Sequence, residues 1–314
     1  DMKHIKPILL TGCTACGKSN LAKELAALTP SLIINADALQ VYNCWQIISA
    51  RPSEQDMSYY DHALYGHVNC QDNYDVGSWL SDLKVQIDYA KERDLRPVIV
   101  GGTGLYYTLL TEGISEIPTI SAVTRDKSNE LMRKDPEKLV SDLEKFDFHT
   151  FISIDRANFA RIQRAWEVLY ETGKGITYWQ SKLLPPTLSI TNTIPVVLHI
   201  ASNNLDENIK NRFKKMIDLG VIEEVEEVFK NLTSSIENKA SFRAIGVNEI
   251  KQFLDNKIDF KELEEVIIVK TRQYAKRQRT WFRNKFSSWN NVQIFTEKSL
   301  RKVAKDIENM ENKI

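Results

Sequence analysis

The chain has 314 residues, 42% of them hydrophobic and 27% charged, and its 42 Lys and Arg balance 42 Asp and Glu to zero formal net charge. That length supports one large domain, or one domain carrying a second, with a sizeable core. The charge balance excludes a polycation, so any nucleic-acid contact must come from local basic patches, and the lack of a long apolar run excludes a transmembrane helix.

Lys6 to Leu10 is a short apolar strand that runs into a glycine-containing turn. Lys18 to Leu28 has helical spacing, with Leu21, Leu25 and Leu28 on one face. A second apolar strand is predicted over Ser31–Ala36, a helix over Trp79–Arg93, and a third strand over Arg96–Val100 that ends in Gly101-Gly102. Strands that are apolar throughout and alternate with helices imply a parallel sheet covered on both faces. From about Ile117 to Pro186 clear strands vanish, and helices are predicted over Val123–Arg133, Pro136–Glu144 and Asn158–Glu171. Thr193 to Ile200 returns as a strand, and helices follow over Asp206–Leu219, Ile222–Leu232, Asn248–Asn256 and Lys261–Phe286. The expected architecture is α/β: a core in two parts, residues 1–116 and 187–314, interrupted by a helical insertion at 117–186.

Gly12 to Ser19 reads GCTACGKS, which fits G-x-x-x-x-G-K-[ST] between a strand and a helix. Consecutive backbone N–H groups of such a loop curl around an anion, and the helix N-terminus adds positive potential. Gly12, Cys13, Thr14, Ala15, Cys16 and Gly17 supply the loop, Lys18 a point charge, and Ser19 a hydroxyl suited to Mg²⁺. The motif specifies phosphate binding without saying whose phosphate. Cys13 and Cys16 also spell C-x-x-C, so a redox pair is a second reading of the same loop, in which oxidation would distort the phosphate site. With Cys44 and Cys70 they are the only cysteines, too few and too clustered for a disulfide framework. The expected setting is therefore a reducing cytoplasm, in keeping with an N-terminal stretch that has no signal-peptide core.

Asp37 follows the second strand, where ligands of open α/β sheets sit, and its carboxylate could hold Mg²⁺ or accept a proton. Gly101 to Tyr107 reads GGTGLYY, which permits close backbone approach to a ligand and offers the Thr103 hydroxyl. Lys270 to Lys285 contains no acid. Its Arg272, Lys276, Arg279 and Arg283 share one helical face near Arg277, with Tyr274, Trp281 and Phe282 interleaved, a pattern suited to a nucleic-acid backbone with some stacking. Arg161 and Arg164 share a helix face, and Arg243 beside a glycine is placed to pair with an acid or a phosphate.

Together these segments resemble the tRNA dimethylallyltransferases, over roughly Ile8 to Phe286. The resemblance is carried by GCTACGKS, by ADALQVY from Ala36, by ISARP from Ile48, by VGGTGLY from Val100, by RIQRAWEV from Arg161 followed by Thr172-Gly173-Lys174, and by TRQYAKRQRTWFR from Thr271. It implies a P-loop NTPase-like core with an inserted helical domain. The implied reaction moves a dimethylallyl group from dimethylallyl diphosphate to the N6 amine of the adenine 3′ of the anticodon, with Mg²⁺ on Ser19. Asp37 would take the proton, while Lys18, Arg243 and Thr103 would handle the diphosphate. Ala38, Leu39 and Gln40 would contact the base, and Arg125, Arg161, Arg164, Lys276, Arg277, Arg279 and Arg283 the tRNA anticodon arm. No membrane partner is implied, and a monomer is expected. The chain departs from the family pattern at Cys13, Cys16, Ala38, Ile48, Asn158 and Val247-Asn248. With no Cys beyond Cys70 it cannot build the C-terminal zinc finger of many eukaryotic relatives, which points to the bacterial type. Alternatives are a prenyltransferase acting on free adenine nucleotides, a small-molecule kinase, and a non-catalytic RNA-binding protein.

Overall fold

Runs of Ile, Leu and Val with no polar alternation can only be strands buried on both faces, and in the computed structural model they form the middle of a six-stranded parallel sheet. The structure describes residues 5–232, 239–295 and 299–312. The strands are β1 (Ile8–Gly12), β2 (Ser31–Asn35), β3 (Asp61–Ala63), β4 (Arg96–Gly101), β5 (Ile194–Ile200) and β6 (Asn290–Ile294), in the spatial order β3-β2-β4-β1-β5-β6. Every residue of β1, β2 and β4 is buried. β1 lies centrally, with β4 and β5 on its two sides, and the β1-to-β2 and β4-to-β5 crossovers run in opposite directions. That switch point puts the crevice for a ligand at the carboxyl end of β1.

The four strands expected from sequence are present, and β3 and β6 join them at the two edges. β3 has only three residues, and β6 reads NNVQI with mostly exposed positions, so neither presents an apolar run. Helices also form at Glu54–Tyr59, Gly104–Glu112, Phe148–Ser153, Ile176–Gln180 and Leu300–Asn309, none of which was expected. No described helix is long and apolar enough to cross a membrane.

The chain divides into two compact units, Asp1–Thr111 with Thr187–Ile314, and Glu112–Pro186. The second begins a few residues before the expected 117, because the two ends of the segment pair with each other. Leu184 N–H donates to Ile114 O (2.9 Å), and Ser115 and Leu183 form an antiparallel bridge. This unit has its own core of Leu139, Leu143, Ile162, Ala165 and Trp166.

In the sheet-bearing unit, buried polar groups fasten the strands. The Trp79 indole donates to Asn35 O (2.8 Å) and stacks on Tyr106, and Tyr107 OH donates to Leu10 O (2.8 Å). Arg96, 3% exposed at the start of β4, reaches Glu308 and Glu311 at 2.7 Å each and ties the sheet to the C-terminal helix. Arg96→Ala is expected to lower unfolding stability by about 3 kcal/mol, since one half of a buried, charge-assisted pair is lost. Urea titration followed by circular dichroism would measure it, and a change within experimental error would mean that the tie contributes nothing.

Candidate active site

At the end of β1 the chain turns sharply. A Cβ on Gly12 would lie 2.7 Å from Cys16 Sγ and 3.0 Å from Leu198 O. Ala15 (φ 60°) and Gly17 (φ 96°) take left-handed conformations, which turn the loop over the first turn of the Lys18–Leu28 helix. Asn208 donates to Ala15 O (3.0 Å) and Arg212 Nη1 to Thr14 Oγ1 (2.8 Å), both from the Ser202–Asp218 helix. Lys18 Nζ folds back onto Cys13 O (3.1 Å), and Ser19 is exposed.

The Phe260–Lys285 helix provides the other support. Gln278 accepts from Thr14 N–H (2.8 Å) and donates through Nε2 to Gly102 O (3.1 Å). One buried amide thus joins the phosphate loop to the loop after β4. The helix packs so close that a Cβ on Gly102 would meet Gln278 Nε2 at 2.4 Å, and one on Gly104 would meet Trp281 at 2.3 Å. These glycines are required by that approach. The Thr14 N–H is committed to Gln278, so anion binding falls to the other amides of the loop.

Asp37 emerges from β2 within a tight polar turn. Its N–H donates to Asn35 Oδ1 (2.8 Å), and its Oδ1 accepts from the N–H groups of Leu39 (2.8 Å) and Gln40 (3.3 Å). Oδ2 has no hydrogen-bond partner among the described residues, so the carboxylate is oriented at one oxygen and free at the other. Ala38 N–H donates to Thr103 Oγ1 (2.9 Å), and Thr103 N–H to Ala36 O (3.3 Å), which leaves the Thr103 hydroxyl hydrogen for a ligand. The Gln40 side chain donates to Ser49 O and Ala50 O, so it braces the following loop.

The groups around Asp37 are kept in defined charge states. Burial pushes the Tyr65, Tyr106 and Tyr274 phenols up, and the Asp37 charge pushes them further, so all three stay neutral donors. Burial lowers the Arg212 guanidinium from its usual range, and Asp37 opposes that shift. Arg212 nonetheless stays cationic. The cationic groups Lys18 and Arg279 act on the Cys13 thiol, but the neighbouring Cys16 and burial raise it overall.

The expected basic stripe is divided by the fold. Arg272 pairs with Asp206 (2.8 Å) and Arg279 contacts Ser202 while facing the phosphate loop electrostatically. Lys276, Arg277 and Arg283 stay exposed, with Arg277 over the Tyr274 ring. Arg243 ends a short 3₁₀ turn, Ala240–Arg243, anchored by buried Ser241 and Phe242. It is exposed, and its charge acts on the Tyr42 phenol; no hydrogen bond or ion pair joins it to the phosphate loop among the described residues. Arg125, Arg161 and Arg164 are exposed on the inserted unit, where Asn158 caps the Phe159–Thr172 helix through Arg161 N–H (3.2 Å). Val247, which departs from the family pattern, is fully buried in the core. Sequence reading gave no role to Gln278 or Arg212, and placed Tyr274 only among the stacking aromatics of the basic helix. Gln278 lies inside the TRQYAKRQRTWFR segment, which signalled only its basic and aromatic residues.

A phosphate loop at the central strand of a parallel sheet, faced by an oriented carboxylate and a threonine hydroxyl, defines a P-loop α/β enzyme that acts at a phosphate ester. The IPP transferase family model matches residues 40–285. The tRNA dimethylallyltransferase of Cereibacter sphaeroides (strain KD131) is 40% identical over 295 residues, 94% of this chain and 91% of that protein. That of Ruegeria sp. (strain TM1040) is 41% identical over 287 residues, 91% and 95% of the two chains. Among solved structures, tRNA isopentenylpyrophosphate transferase from Staphylococcus epidermidis superposes with a TM-score of 0.67 at 27% identity, over 98% of this chain and all of that one. A eukaryotic dimethylallyltransferase acting on tRNA shares the fold, with a TM-score of 0.82 at 23% identity over 98% and 80% of the two chains. The chain belongs to the IPP transferase family, that of the tRNA dimethylallyltransferases.

The bridge through Gln278 has a direct test. Gln278→Leu keeps the bulk and removes both hydrogen bonds, so inorganic pyrophosphate is expected to bind about tenfold more weakly by calorimetry. Unchanged affinity would show that the loop holds its shape without the amide.

Proposed function

We propose that the chain transfers a dimethylallyl group from dimethylallyl diphosphate to the N6 amine of the adenine 3′ of the anticodon in tRNA, releasing diphosphate. Membership of the family gives the reaction class, and one observation carries the mechanism. Asp37 is fixed through Oδ1 and free at Oδ2, in the same crevice as the phosphate loop. The amine nitrogen attacks C1 of the prenyl group, the C1–O bond breaks, and Oδ2 takes the proton that the nitrogen sheds.

Negative charge builds on the diphosphate as it leaves. The loop amides, Lys18 and Arg212 are the donors in place for it, and Arg279 adds positive potential. Lys18 gives up only a single bond to Cys13 O to serve. The Thr103 hydroxyl, already accepting from Ala38, is left with its hydrogen to orient a phosphate oxygen. Ser19 is exposed in the first turn of its helix and fits a Mg²⁺ ion whose other ligands are phosphate oxygens and water. Such an ion would neutralise leaving-group charge. Arg243, exposed at the end of its turn, is proposed to join the diphosphate.

The acceptor base must leave its stack to reach Asp37. Backbone groups of Ala38 and Leu39 are the contacts proposed for it, with Gln40 holding their loop. Lys276, Arg277 and Arg283, with Arg125, Arg161 and Arg164 of the inserted unit, have no ion pair among the described residues and are suited to the phosphates of the anticodon arm. A free adenine nucleotide as acceptor would leave all of them without a task. The enzyme is proposed to work as a monomer.

Purified protein with Mg²⁺ and radiolabelled dimethylallyl diphosphate tests the acceptor. Label is expected in tRNA with adenine 3′ of the anticodon, and not in the guanine variant, AMP or ATP. Label in AMP or ATP would overturn the tRNA assignment. Asp37→Ala should lower kcat by at least 100-fold, on the order expected for a lost general base, with tRNA binding nearly unchanged; activity within a few-fold of the parent would refute the base assignment. Lys276→Gln with Arg283→Gln should raise the tRNA KM and flatten its log–log salt slope by roughly 1.5–2. An unchanged slope would remove that helix from the RNA interface.

A further inference from the structure

The chain's four cysteines fall into two neighbouring pairs: Cys16 N–H donates to Cys13 O (3.3 Å), and Cys44 and Cys70 each follow by two residues the bridged Tyr42 and Val68. The first pair is sealed in the core at 2% and 1% exposure. The second is half-buried and open to a soluble reagent.

The placement of Cys44 and Cys70 follows from backbone pairing. Val68 N–H donates to Val41 O (2.9 Å) and Asn43 N–H to Val68 O (2.9 Å), a parallel bridge that puts Tyr42 opposite Val68. Two residues beyond this isolated bridge each segment carries a cysteine in a turn, Cys44 on one and Cys70 on the other. At the bridge paired chains stand about 4.8 Å apart, a spacing inside the Cα range that a disulfide spans. The two chain segments also clasp the turn that bears Arg243. Ser241 Oγ donates to Cys70 O (2.7 Å), and the Trp45 indole donates to Ser241 O (2.7 Å).

We propose that Cys44 and Cys70 form a reversible disulfide with a small-molecule disulfide such as oxidised glutathione, and that this lowers activity by stiffening the clasp under Arg243. One thiol loses its proton and its sulfur displaces a glutathione thiolate, giving a mixed disulfide. The second thiol, deprotonated, attacks the protein sulfur of that mixed disulfide and expels the other glutathione. Two protein thiols are oxidised and one glutathione disulfide is reduced to two glutathiones. Arg243 has no hydrogen bond or ion pair to the phosphate loop among the described residues, and a cross-link between its two supports would hinder any shift of its turn toward diphosphate.

The activity consequence rests on the prenyl-transfer reading, whereas formation of the bond does not. The full chain is incubated with oxidised glutathione, unfolded, alkylated and mapped without reduction by mass spectrometry, and prenyl transfer is assayed before and after dithiothreitol. The expected map joins the Cys44 and Cys70 peptides, lighter by two hydrogens, with Cys13 and Cys16 alkylated. Activity should fall several-fold through a higher KM for dimethylallyl diphosphate and return with dithiothreitol, while Cys70→Ser keeps its activity under the same oxidant. A Cys13–Cys16 link, lasting glutathione adducts or no oxidation would overturn the site. A linked protein with full activity would overturn the control. The map is made on the unaltered chain, so it stands even if Cys70→Ser fails to fold.

Discussion

The sheet-bearing unit is organised around one electrostatic constraint: a phosphate-binding loop works only if its N–H donors are held in place. Water would reorganise around an anion at a cost, whereas N–H groups held by a folded loop need not. The loop from Gly12 to Ser19 holds two left-handed residues, Ala15 and Gly17, and its Ala15 carbonyl accepts from Asn208. Gln278, Asn208 and Arg212 hold it from two separate helices. Gln278 then extends the same rigidity to Gly102, and Thr103 to Ala38, so the phosphate site and the turn around Asp37 are built as one piece.

That arrangement also explains how a chain with no net charge can serve two polyanions. The cations divide by task. Some are satisfied internally, as Arg96 is by Glu308 and Glu311 and Arg272 is by Asp206. Arg212 and Arg279 look toward the phosphate loop. Others, including Lys276, Arg283, Arg161 and Arg164, are exposed with no ion pair among the described residues, and such residues can release counterions when a nucleic acid binds. Neutral phenols around Asp37 complete the design, because ionised ones would repel a phosphate.

The substituted positions of the phosphate loop fit this picture. Cys13 and Cys16 are buried with the hydrophobic core, and their role in the loop is filled by backbone groups. The loop therefore tolerates sulfur at these two positions that depart from the family pattern, at the cost of a thiol pair beside the phosphate site. Val247, another departure from the family pattern, packs into the core.

The sequence by itself determined the reaction class and the central strands. Apolar runs announce strands buried on both faces, and Gly12–Ser19, Asp37 and Thr103 sit in contiguous motifs whose chemistry is local. Only the tertiary structure decided what supports those motifs. Gln278 meets Thr14 across 264 residues and Arg212 meets it across 198, separations at which no spacing rule operates. The edge strands β3 and β6 were silent because they are short or polar, and find their place by pairing with neighbours already formed. The basic helix showed its charges in sequence but not their division, since which arginine finds Asp206 and which faces the phosphate loop depends on the helix packed beside it.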